Sequence, residues 1–232
     1  MSESTLSQAP VESTPVTNGF ATLGLDPRLT DALVGYTDPT PIQREGIPVL
    51  LTGRDMIGLA ATGTGKTAAF GLPILHLIAK IPDRKQPSAL VLVPTRELAV
   101  QVATALSRYG KPLHLRVVPV YGGAGFGDQA RALNRGVDVV VATPGRALDH
   151  IRRGTLNLSG VSAVVLDEAD EMLDMGFAED LDAILAAAPD TRQTVLFSAT
   201  MPPRAAAIAG KHLKDPVRVA VAREKPVAGE AH

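Results

Sequence analysis

Residues 59–67, LAATGTGKT, carry the clearest chemical potential in this sequence. A short apolar run at 55–58 suits a buried strand and precedes them, and a helical pattern at 68–79 follows them. A strand, a glycine-rich turn, Lys-Thr and a helix form the arrangement that holds the phosphates of a nucleotide. We therefore predict a nucleotide triphosphate site at 59–67. The alternative is a glycine turn that only joins a strand to a helix.

Each group in this loop has a distinct expected role. Glycines let the backbone curl so that N–H groups point at phosphate oxygens, and a helix beginning near Lys66 adds its positive end. Lys66 is expected to bind the outer phosphates, and the Thr67 hydroxyl to ligate Mg²⁺. The general pattern has Gly five residues before Gly65, where this chain has Ala60. The loop residues expected to contact the nucleotide are Ala61, Thr62, Gly63, Thr64, Gly65, Lys66 and Thr67.

Apolar runs that suit buried strands recur along the chain, with helical patterns between them. The runs are apolar nearly throughout rather than alternating, which is typical of strands covered on both faces of a parallel sheet. Alternating strands and helices imply right-handed βαβ units, so we predict an α/β fold of three layers with a mostly parallel central sheet. Further strands are predicted at 89–93, 115–121, 138–142, 161–166, 194–197 and 217–221. Further helices are predicted at 27–34, 41–51, 95–109, 128–134, 144–152, 178–187 and 202–213.

Acidic residues follow the strand predicted at 161–166. Ligands of open α/β sheets gather beyond the carboxyl ends of the strands, and this strand ends in Asp167-Glu168-Ala169-Asp170. Asp167 is expected to hold Mg²⁺ through water, and Glu168 to orient and deprotonate an attacking water. The alternative is an acidic start to a helix, which the helix dipole favours.

Small hydroxyl residues follow the strand predicted at 194–197. The hydroxyls of Ser198 and Thr200 could hydrogen-bond to the acidic cluster, for example to Asp170, and sense its state. The alternative is a helix N-cap region before Met201-Pro202.

Three more strand ends carry groups suited to a phosphodiester backbone. They offer hydroxyls, helix N-termini and arginines, and a glycine pair that permits close approach. Each alone is a turn plus a helix cap, whereas together they predict a row of anion-binding points beside the nucleotide site. No aromatic residue is interleaved with them, which favours contacts to sugar and phosphate over stacking on bases. The row contains Pro94, Thr95, Arg96, Gly122, Gly123, Thr143, Pro144, Gly145 and Arg146.

Composition limits the remaining classes of function. The 232 residues are 45% hydrophobic and fit one large α/β domain or two small ones. A net charge of −1 gives no hint of a nucleic-acid partner. The absence of cysteine excludes disulfides, thiolate metal sites and a cysteine nucleophile. The chain shows no signal-peptide pattern and no run long enough to span a bilayer, so we expect a soluble cytoplasmic protein with no membrane partner.

In combination, these motifs resemble the N-terminal ATPase domain of the DEAD-box RNA helicases. The resemblance covers Phe20 to about Val221, and Ala60 agrees with this family's form of the loop. It implies a RecA-like P-loop domain that uses ATP and Mg²⁺ and binds the RNA backbone without sequence specificity. The motifs are the glutamine motif at 35–43, AxTGxGKT at 60–67, PTRELA at 94–99, Gly-Gly at 122–123, TPGR at 143–146, DEAD at 167–170 and SAT at 198–200.

The resemblance also implies roles that spacing alone does not give. Gln43 is expected to pair with the adenine edge, as a side-chain amide can do bidentately. Tyr36 is expected in the same nucleotide site. Phe20 is expected to stack on the adenine ring; without the resemblance it is a core or staple aromatic. The implied catalytic residues are Lys66, Asp167, Glu168, Ser198 and Thr200, and the implied metal-binding residues are Thr67 and Asp167.

In this family a second, similar domain supplies arginine fingers and the other half of the RNA groove. Nothing at 217–232 resembles its motifs, so we expect it to be absent here. We expect a disordered tail at 1–19, one ATP-binding helicase domain at 20–221 and a frayed segment at 222–232. An arginine finger contributes roughly 10³–10⁵ in rate. We therefore expect the isolated, monomeric domain to bind adenine nucleotide but to hydrolyse ATP very slowly and not to unwind duplexes.

Two other functions stay open at this stage. One is a module that binds nucleotide or RNA without turnover, against which an intact Glu168 argues weakly. The other is a P-loop ATPase that acts on DNA or without nucleic acid. Comparing RNA with DNA as a stimulator separates the latter, since the 2′-OH is what differs.

Overall fold

Seven parallel strands form one sheet in the computed structural model, which describes residues 19–33, 35 and 38–222. The strands are β1 (Met56–Leu59), β2 (Ala89–Leu92), β3 (Val117–Val120), β4 (Val139–Ala142), β5 (Ala163–Leu166), β6 (Gln193–Ser198) and β7 (Val217–Ala220). Their order across the sheet is β3-β4-β2-β5-β6-β1-β7. Every neighbouring pair is parallel, which confirms the predicted α/β fold.

Helices connect the strands and cover the sheet. In the described ranges they are α1 (Pro27–Asp31), α2 (Pro41–Leu51), α3 (Lys66–Ala79), α4 (Arg96–Gly110), α5 (Phe126–Asn134), α6 (Pro144–Arg152), α7 (Ala169–Asp174), α8 (Ala178–Ala187) and α9 (Pro203–His212). Short 3-10 helices occupy Gly19–Leu23 and Lys111–Leu113. No helix within 19–33 and 38–222 is both long enough and apolar enough to cross a bilayer.

Alternate residues of each central strand enter two different apolar cores. Val91, Val165 and Val195 are register partners on three neighbouring strands, and all three lie in the core that contains residues of α2, α3 and α4. Val164 and Leu166 point the other way, into the core that contains residues of α6 to α9. Because side chains alternate between the faces of a strand, both faces need apolar residues, and this explains the uninterrupted apolar runs.

The strand order sorts the predicted motifs into two groups. β6 lies between β1 and β5, so the glycine-rich loop, the Asp167-Glu168 pair and Ser198 all follow strands that are close in the sheet. β2, β4 and β3 are neighbours at the other side, and they are followed by PTRELA, TPGR and the Gly-Gly pair respectively. Neighbouring strands are about 4.8 Å apart, so each group of strand ends can form one site.

The sequence predicted the long elements well and missed three short ones. Each predicted strand and helix is present, with ends shifted by at most three residues. The missed elements are α7 and the two 3-10 helices. The predicted tail at 1–19 and the segment at 222–232 lie outside the described residues, except for Gly19 and Ala222. Gly19 begins the first 3-10 helix.

Candidate functional site

The loop after β1 is a glycine turn that leads directly into α3. Gly63 and Gly65 have φ angles of +84° and +80°, a left-handed conformation that other residues rarely adopt. A Cβ atom on Gly65 would lie 2.5 Å from Gln43 Nε2, so there is also no space for a side chain. α3 begins at Lys66, and the unpaired N–H groups of its first turn are therefore available beside the loop.

Lys66 connects this loop to the acidic pair. Its Nζ lies 3.0 Å from Asp167 Oδ1 and 3.2 Å from Glu168 Oε1. Thr62, also in the loop, donates from Oγ1 to Glu168 Oε1 at 2.9 Å. The Lys66 and Asp167 side chains are only 8% and 1% exposed, so water screens their attraction weakly. The structure thus brings together the two halves of the site that the sequence predicted.

Burial and charge act in opposite directions on the acidic pair. Burial raises the pKa of Asp167, although the neighbouring Lys66 ammonium lowers it. Burial also opposes ionisation of Glu168, but a hydrogen bond with Glu171 and the charge of Lys66 hold the pKa of Glu168 below its usual value. Oδ1 of Asp167 is buried, and the Lys66 ammonium at 3.0 Å compensates its charge. A buried carboxylate oxygen that already faces a cation suits a metal ion, or a water that a metal ion holds.

The acidic stretch is both a strand-end carboxylate pair and the start of a helix. Glu168 has left-handed backbone angles, φ 55° and ψ 52°, which are uncommon for a non-glycine residue and concentrate at functional sites. α7 begins immediately afterwards and carries Asp170 and Glu171 in its first turn. The two interpretations of this stretch, a carboxylate pair for the site and an acidic start to a helix, are therefore compatible.

Ser198 and Thr200 hold Asp170, as the sequence suggested. The backbone N–H of Asp170 donates to Ser198 Oγ at 3.1 Å. Thr200 donates to Asp170 Oδ2 from its backbone N at 3.1 Å and from Oγ1 at 2.9 Å. Burial opposes ionisation of Asp170, but these Thr200 bonds outweigh it and lower the pKa of the carboxyl. The end of β6 is thereby fastened to the start of α7.

The glutamine motif supports the loop from the other side. Gln43 accepts from Thr40 N at 2.9 Å and donates from Nε2 to Gly65 O at 3.0 Å. Thr40 Oγ1 donates to Thr64 O at 2.8 Å. Two residues of the N-terminal part of α2 therefore hold two carbonyl groups of the loop. The expected pairing of Gln43 with adenine remains a prediction, and its amide already has protein partners on both atoms.

Two cavities adjoin the loop. One of about 640 Å³ is lined by Asp38, Pro39, Thr40, Arg44, Gly63, Val221 and neighbouring residues. The other, of about 280 Å³, is lined by Lys66, Thr67, Gln101, Asp167, Glu168 and neighbouring residues. The larger falls in the usual size range of small-molecule sites. Their positions, on either side of the glycine turn, suit a nucleoside and its phosphates respectively.

Two aromatic residues, Tyr36 and Phe20, are expected at the adenine, and the structure describes only Phe20. Tyr36 lies outside the described residues. Phe20 is 1% exposed and belongs to the apolar core on the α3 face, which matches the alternative offered for it. Stacking of Phe20 on adenine remains a prediction, and it requires the ring to become exposed when nucleotide binds.

The three segments of the predicted phosphodiester row contact one another. The Arg96 guanidinium lies 5.0 Å from the centre of the Tyr121 ring, and a Cβ on Gly123 would lie 3.8 Å from Arg96 Nη1. Arg146 donates from Nη1 to Ala124 O at 3.0 Å. PTRELA, the Gly-Gly segment and TPGR therefore form one continuous surface at the ends of β2, β3 and β4.

Members of this row differ in exposure. Arg96, Gly122, Gly123 and Gly145 are exposed, and Thr95, Thr143 and Arg146 are half-buried. Pro94 and Pro144 are buried, so their side chains offer no surface to a ligand. Pro144 is instead the first residue of α6, where its fixed φ suits a helix start.

The motif residues of this row include no aromatic, but the fold places two aromatic rings beside its arginines. Tyr121 lies under Arg96, and Phe126 lies 5.8 Å from Arg146 and 4.4 Å from Arg153, measured from ring centre to guanidinium carbon. Both aromatics flank the Gly-Gly pair in the sequence, but their contacts with arginines of other segments depend on the fold. Aromatic rings can thus order the arginines of this surface.

Sequence reasoning missed two buried polar residues under this surface. Gln129 of α5 is 7% exposed and His150 of α6 is fully buried. Gln129 Oε1 accepts from Arg146 Nη1 at 3.0 Å and lies 3.2 Å from His150 Nε2. A signal was present: Gln129 is four residues before Leu133, a buried residue on the apolar face of the same helix. A polar residue at such a position calls for a buried partner.

Among the described residues, no group of three or more histidine, aspartate or glutamate side chains is arranged to hold a metal ion. Any metal at Asp167 would therefore need ligands that the protein does not supply alone, such as phosphate oxygens and water.

The chain is similar to a family of known proteins over most of its length. A family model described as DEAD/DEAH box helicase matches residues 40–208. Two curated relatives named ATP-dependent RNA helicase DeaD are 53% identical to it: one of Mycobacterium tuberculosis (strain ATCC 25618 / H37Rv) over 212 residues and one of Escherichia coli (strain K12) over 205 residues. The matches cover 90% and 87% of this chain but 37% and 32% of the relatives. The chain thus spans about a third of the length of these relatives.

Solved structures agree with the family match. The crystal structure of a DEAD box protein from the hyperthermophile Methanococcus jannaschii superposes with a TM-score of 0.82 at 40% identity, covering 87% of this chain and 55% of that one. A hypothetical ATP-dependent RNA helicase from Sulfolobus tokodaii superposes with a TM-score of 0.78 at 36% identity, covering 85% and 57%. The predicted RecA-like fold is confirmed by these neighbours.

Proposed function

Because this chain belongs to the DEAD/DEAH box helicase family, we propose that it is the ATP- and RNA-binding domain of an RNA-dependent ATPase that unwinds or remodels short RNA duplexes. The observation that carries the proposal is the contact of Lys66 with Asp167 and Glu168. These are a cation for phosphate, a carboxylate for a metal and a carboxylate base for water, which are the groups that phosphoryl transfer needs. The relatives' name, ATP-dependent RNA helicase, supports ATP and RNA as the ligands.

Nucleotide binding begins with an exchange of partners at Lys66. In the structure its ammonium group lies against the buried carboxylate of Asp167 and the partly buried carboxylate of Glu168. In the proposed complex Lys66 turns to the outer phosphates, while the loop N–H groups and the start of α3 hold the phosphate chain. The nucleoside occupies the cavity of about 640 Å³ beyond Gly63. Gln43 contributes in two ways, by holding Gly65 O and by pairing with adenine.

The residues present fit a magnesium ion. Oδ1 of Asp167 is buried and faces a cation, the Lys66 ammonium, and Thr67 lies in the same small cavity as Asp167. We propose that these two residues hold Mg²⁺ together with phosphate oxygens. When bound, the ion neutralises phosphate charge and replaces the positive charge that Lys66 withdraws from Asp167.

Glu168 is the proposed base. Its lowered pKa keeps the carboxylate ionised at neutral pH, as a proton acceptor must be. In the structure, Oε1 of Glu168 accepts from both Lys66 and Thr62. The departure of Lys66 toward phosphate frees one position on Oε1 for a water molecule, and Thr62 continues to orient the carboxylate. Nucleotide binding itself thus prepares the base.

We further propose that RNA lies along the surface formed by Arg96, Gly123, Arg146 and their neighbours. Thr95 caps α4 by accepting from Leu98 N at 3.2 Å, which leaves its own hydroxyl proton to donate to a phosphate. Arginines, helix N-termini and hydroxyls hold phosphates without selecting a sequence. The aromatic neighbours Tyr121 and Phe126 are covered by guanidinium groups and so support the arginines rather than replace them.

Titration with Mg-ATP by calorimetry tests the nucleotide half of the proposal. We expect binding by this chain, loss of binding in Lys66→Ala and little change in the control Lys85→Ala, whose side chain is exposed. No heat from ATP or its analogues would contradict the proposal.

A turnover assay tests whether ATP hydrolysis requires a second domain. We propose that this chain alone hydrolyses ATP very slowly, because arginine fingers from a second domain contribute roughly 10³–10⁵ in rate. Phosphate release is measured with Mg-ATP and RNA, with and without a second RecA-like domain from a relative supplied separately. Robust RNA-stimulated turnover by this chain alone would contradict the proposal, and stimulation by DNA equal to that by RNA would contradict RNA specificity.

Two lesser predictions complete the proposal. The isolated domain is expected to be a monomer, which sedimentation checks. A cytoplasmic location, expected from the sequence, is checked by cell fractionation.

A further inference from the structure

A buried polar network lies beneath the proposed RNA surface and links three of its segments. Gln129 Nε2 donates to Tyr121 O at 2.8 Å, at the end of β3. Gln129 Oε1 accepts from Arg146 Nη1 at 3.0 Å. The same Nη1 donates to Ala124 O at 3.0 Å. Gln129 therefore holds both the loop at 121–125 and the arginine of TPGR.

The partners of Gln129 fix the orientation of its amide. The Tyr121 carbonyl can only accept, and the Arg146 guanidinium can only donate. The amide nitrogen must therefore face Tyr121 and the amide oxygen must face Arg146. If the amide were flipped, its oxygen would face the Tyr121 carbonyl oxygen and its nitrogen would face the Arg146 guanidinium, and neither hydrogen bond could form. Only one orientation of the buried Gln129 amide therefore satisfies both partners.

His150 stabilises that arrangement from below. Its Nε2 lies 3.2 Å from Gln129 Oε1, which is an acceptor, so Nε2 carries a proton. Its Nδ1 lies 2.6 Å from Thr155 Oγ1, which is also 3.1 Å from the carbonyl oxygen of His150. Burial lowers the pKa of His150 and so favours the neutral ring, in which Nδ1 accepts the Thr155 proton while Nε2 donates to Gln129. Phe126 stacks on the ring at 4.0 Å between centres and a 10° interplanar angle, which fixes the ring plane.

Some N–H groups of Arg146 make no hydrogen bond to any described residue. The hydrogen bonds to Ala124 and Gln129 both use Nη1, and among the described residues Nε and Nη2 have no hydrogen-bond partner. The side chain is half-buried. One edge of the guanidinium is thus anchored in the protein, and its other N–H groups are available to a phosphate oxygen.

We propose that Gln129 is a positioning residue for RNA binding, which anchors Arg146 and the Gly-Gly segment in a single arrangement before RNA arrives. This inference rests on the proposed RNA-binding function of the surface. A long side chain that is already ordered loses less conformational entropy on binding than a free one. Gln129 therefore strengthens RNA binding through Arg146 without touching RNA, and it has no part in binding nucleotide.

A double-mutant cycle on the full chain tests the inference. The variants are Gln129→Met, which keeps side-chain length but removes both hydrogen-bonding groups, Arg146→Ala, and the two combined. Gln86→Met, an exposed glutamine beyond the opposite end of the sheet, is the matched control. Affinity for a labelled single-stranded RNA is measured by fluorescence anisotropy at several salt concentrations, and ATP affinity and thermal unfolding are measured alongside.

We expect Gln129→Met to weaken RNA binding because Arg146 is then no longer held in place. Gln129→Met should weaken RNA binding about 3- to 10-fold, in line with the ordering cost of one long side chain. Arg146→Ala should weaken it as well and reduce the salt slope by about 1. The combined variant should lose clearly less affinity than the sum of the two single losses, because Gln129 then has no arginine to position and keeps only its bond to Tyr121 O. ATP affinity should stay at the level of the control.

Other outcomes separate the inference from the proposed function. The positioning role of Gln129 is refuted if Arg146→Ala weakens RNA binding but Gln129→Met does not, or if the two effects add fully. In either case the proposed RNA surface is still supported by the effect of Arg146→Ala. If Arg146→Ala has no effect on RNA binding, the proposed surface fails at this residue and the inference fails with it. Should Gln129→Met not fold, His150→Phe, which removes the Nε2 donor and keeps a ring against Phe126, is judged by the same criteria.

Discussion

Lys66 and Asp167 form an ion pair of 3.0 Å in which both side chains are almost completely buried. Lys66 begins α3 after β1, and Asp167 follows β5, with β6 between the two strands. The pair therefore exists only when three strands are correctly assembled. Because Lys66 is also the proposed phosphate-binding cation, phosphate and carboxylate would compete for the same ammonium group.

Lys66→Ala is expected to abolish nucleotide binding and also to destabilise the fold. Breaking a buried pair by removing one partner leaves a buried charge uncompensated, which costs up to about 3–5 kcal/mol. Protonation of Asp167, whose pKa burial already raises, relieves part of this cost. Calorimetric titration and chemical denaturation measure the two effects, with the exposed Lys85→Ala as control. Unchanged ATP affinity would refute the phosphate-binding role of Lys66.

Gln43→Ala is expected to weaken binding of both ATP and GTP, and of ATP more. The common loss follows from the lost bond to Gly65 O, which supports the loop for any nucleotide. The additional loss for ATP follows from the proposed pairing with adenine. Thr40→Val is the matched control, because it removes the bond from Thr40 Oγ1 to Thr64 O and leaves the Gln43 amide in place. It should affect ATP and GTP equally. If Gln43→Ala also affects them equally, the base-pairing role is wrong.

The strand-end chemistry was predictable because apolar runs locate buried strands and the residues after them must gather at one edge. This reasoning placed Asp167 and Glu168 beside Lys66, and Thr200 beside Asp170. This reasoning did not assign helix α7, because its short, acidic sequence has little apolar periodicity to mark a helix. Its first residues had also been explained as ligands.

The burial of Gln129 could be inferred from the sequence, but its partners, Arg146 and His150, could not. Periodicity shows which face of α5 or α6 is buried, but the crossing of the two helices decides which buried residues meet. The stacking of Phe126 on His150 depends on the same packing. Phe20 lies in the core beside α3, and its stacking on adenine, which only the family resemblance implies, stays a prediction.

Gly58→Ala is expected to destabilise the protein by about 1–3 kcal/mol, as insertion of a methyl group into a filled core does. A Cβ at this position of β1 would lie 2.4 Å from Cε1 of Phe197, its register partner on β6. Phe197 is fully buried and packs against Phe70 at 5.8 Å, so the ring has little room to move.

Gly210→Ala is the matched control for this prediction. Gly210 lies in α9, is exposed and has no atom within 4 Å of an added Cβ. Alanine there should stabilise the helix by about 0.5–1 kcal/mol. Denaturant midpoints measure both variants. Equal changes for Gly58→Ala and Gly210→Ala would show that crowding at Phe197 has no energetic consequence.

His76 is expected to make folding stability depend on pH. Its Nδ1 accepts a hydrogen bond from the backbone N–H of Asp26 at 3.0 Å, which requires an unprotonated nitrogen. Burial and the charge of Lys80 lower the pKa of His76 below its usual 6.5, and Asp26 only partly opposes them. The unfolded chain therefore takes up the proton first as pH falls. The contribution of His76 is complete above about pH 6.5 and is lost as pH falls through the lowered pKa of the folded protein.

His76→Gln tests this linkage, because a glutamine oxygen can accept from Asp26 N without titrating. The free energy of unfolding is measured by denaturant titration at about pH 7.5 and about pH 5.5. The natural protein should lose more stability between these pH values than His76→Gln. His150, whose pKa is lowered in the same direction, contributes equally to both proteins and cancels in the difference. If the two proteins lose stability to the same extent, His76 is not the titrating group, and the bond to Asp26 tolerates acidification.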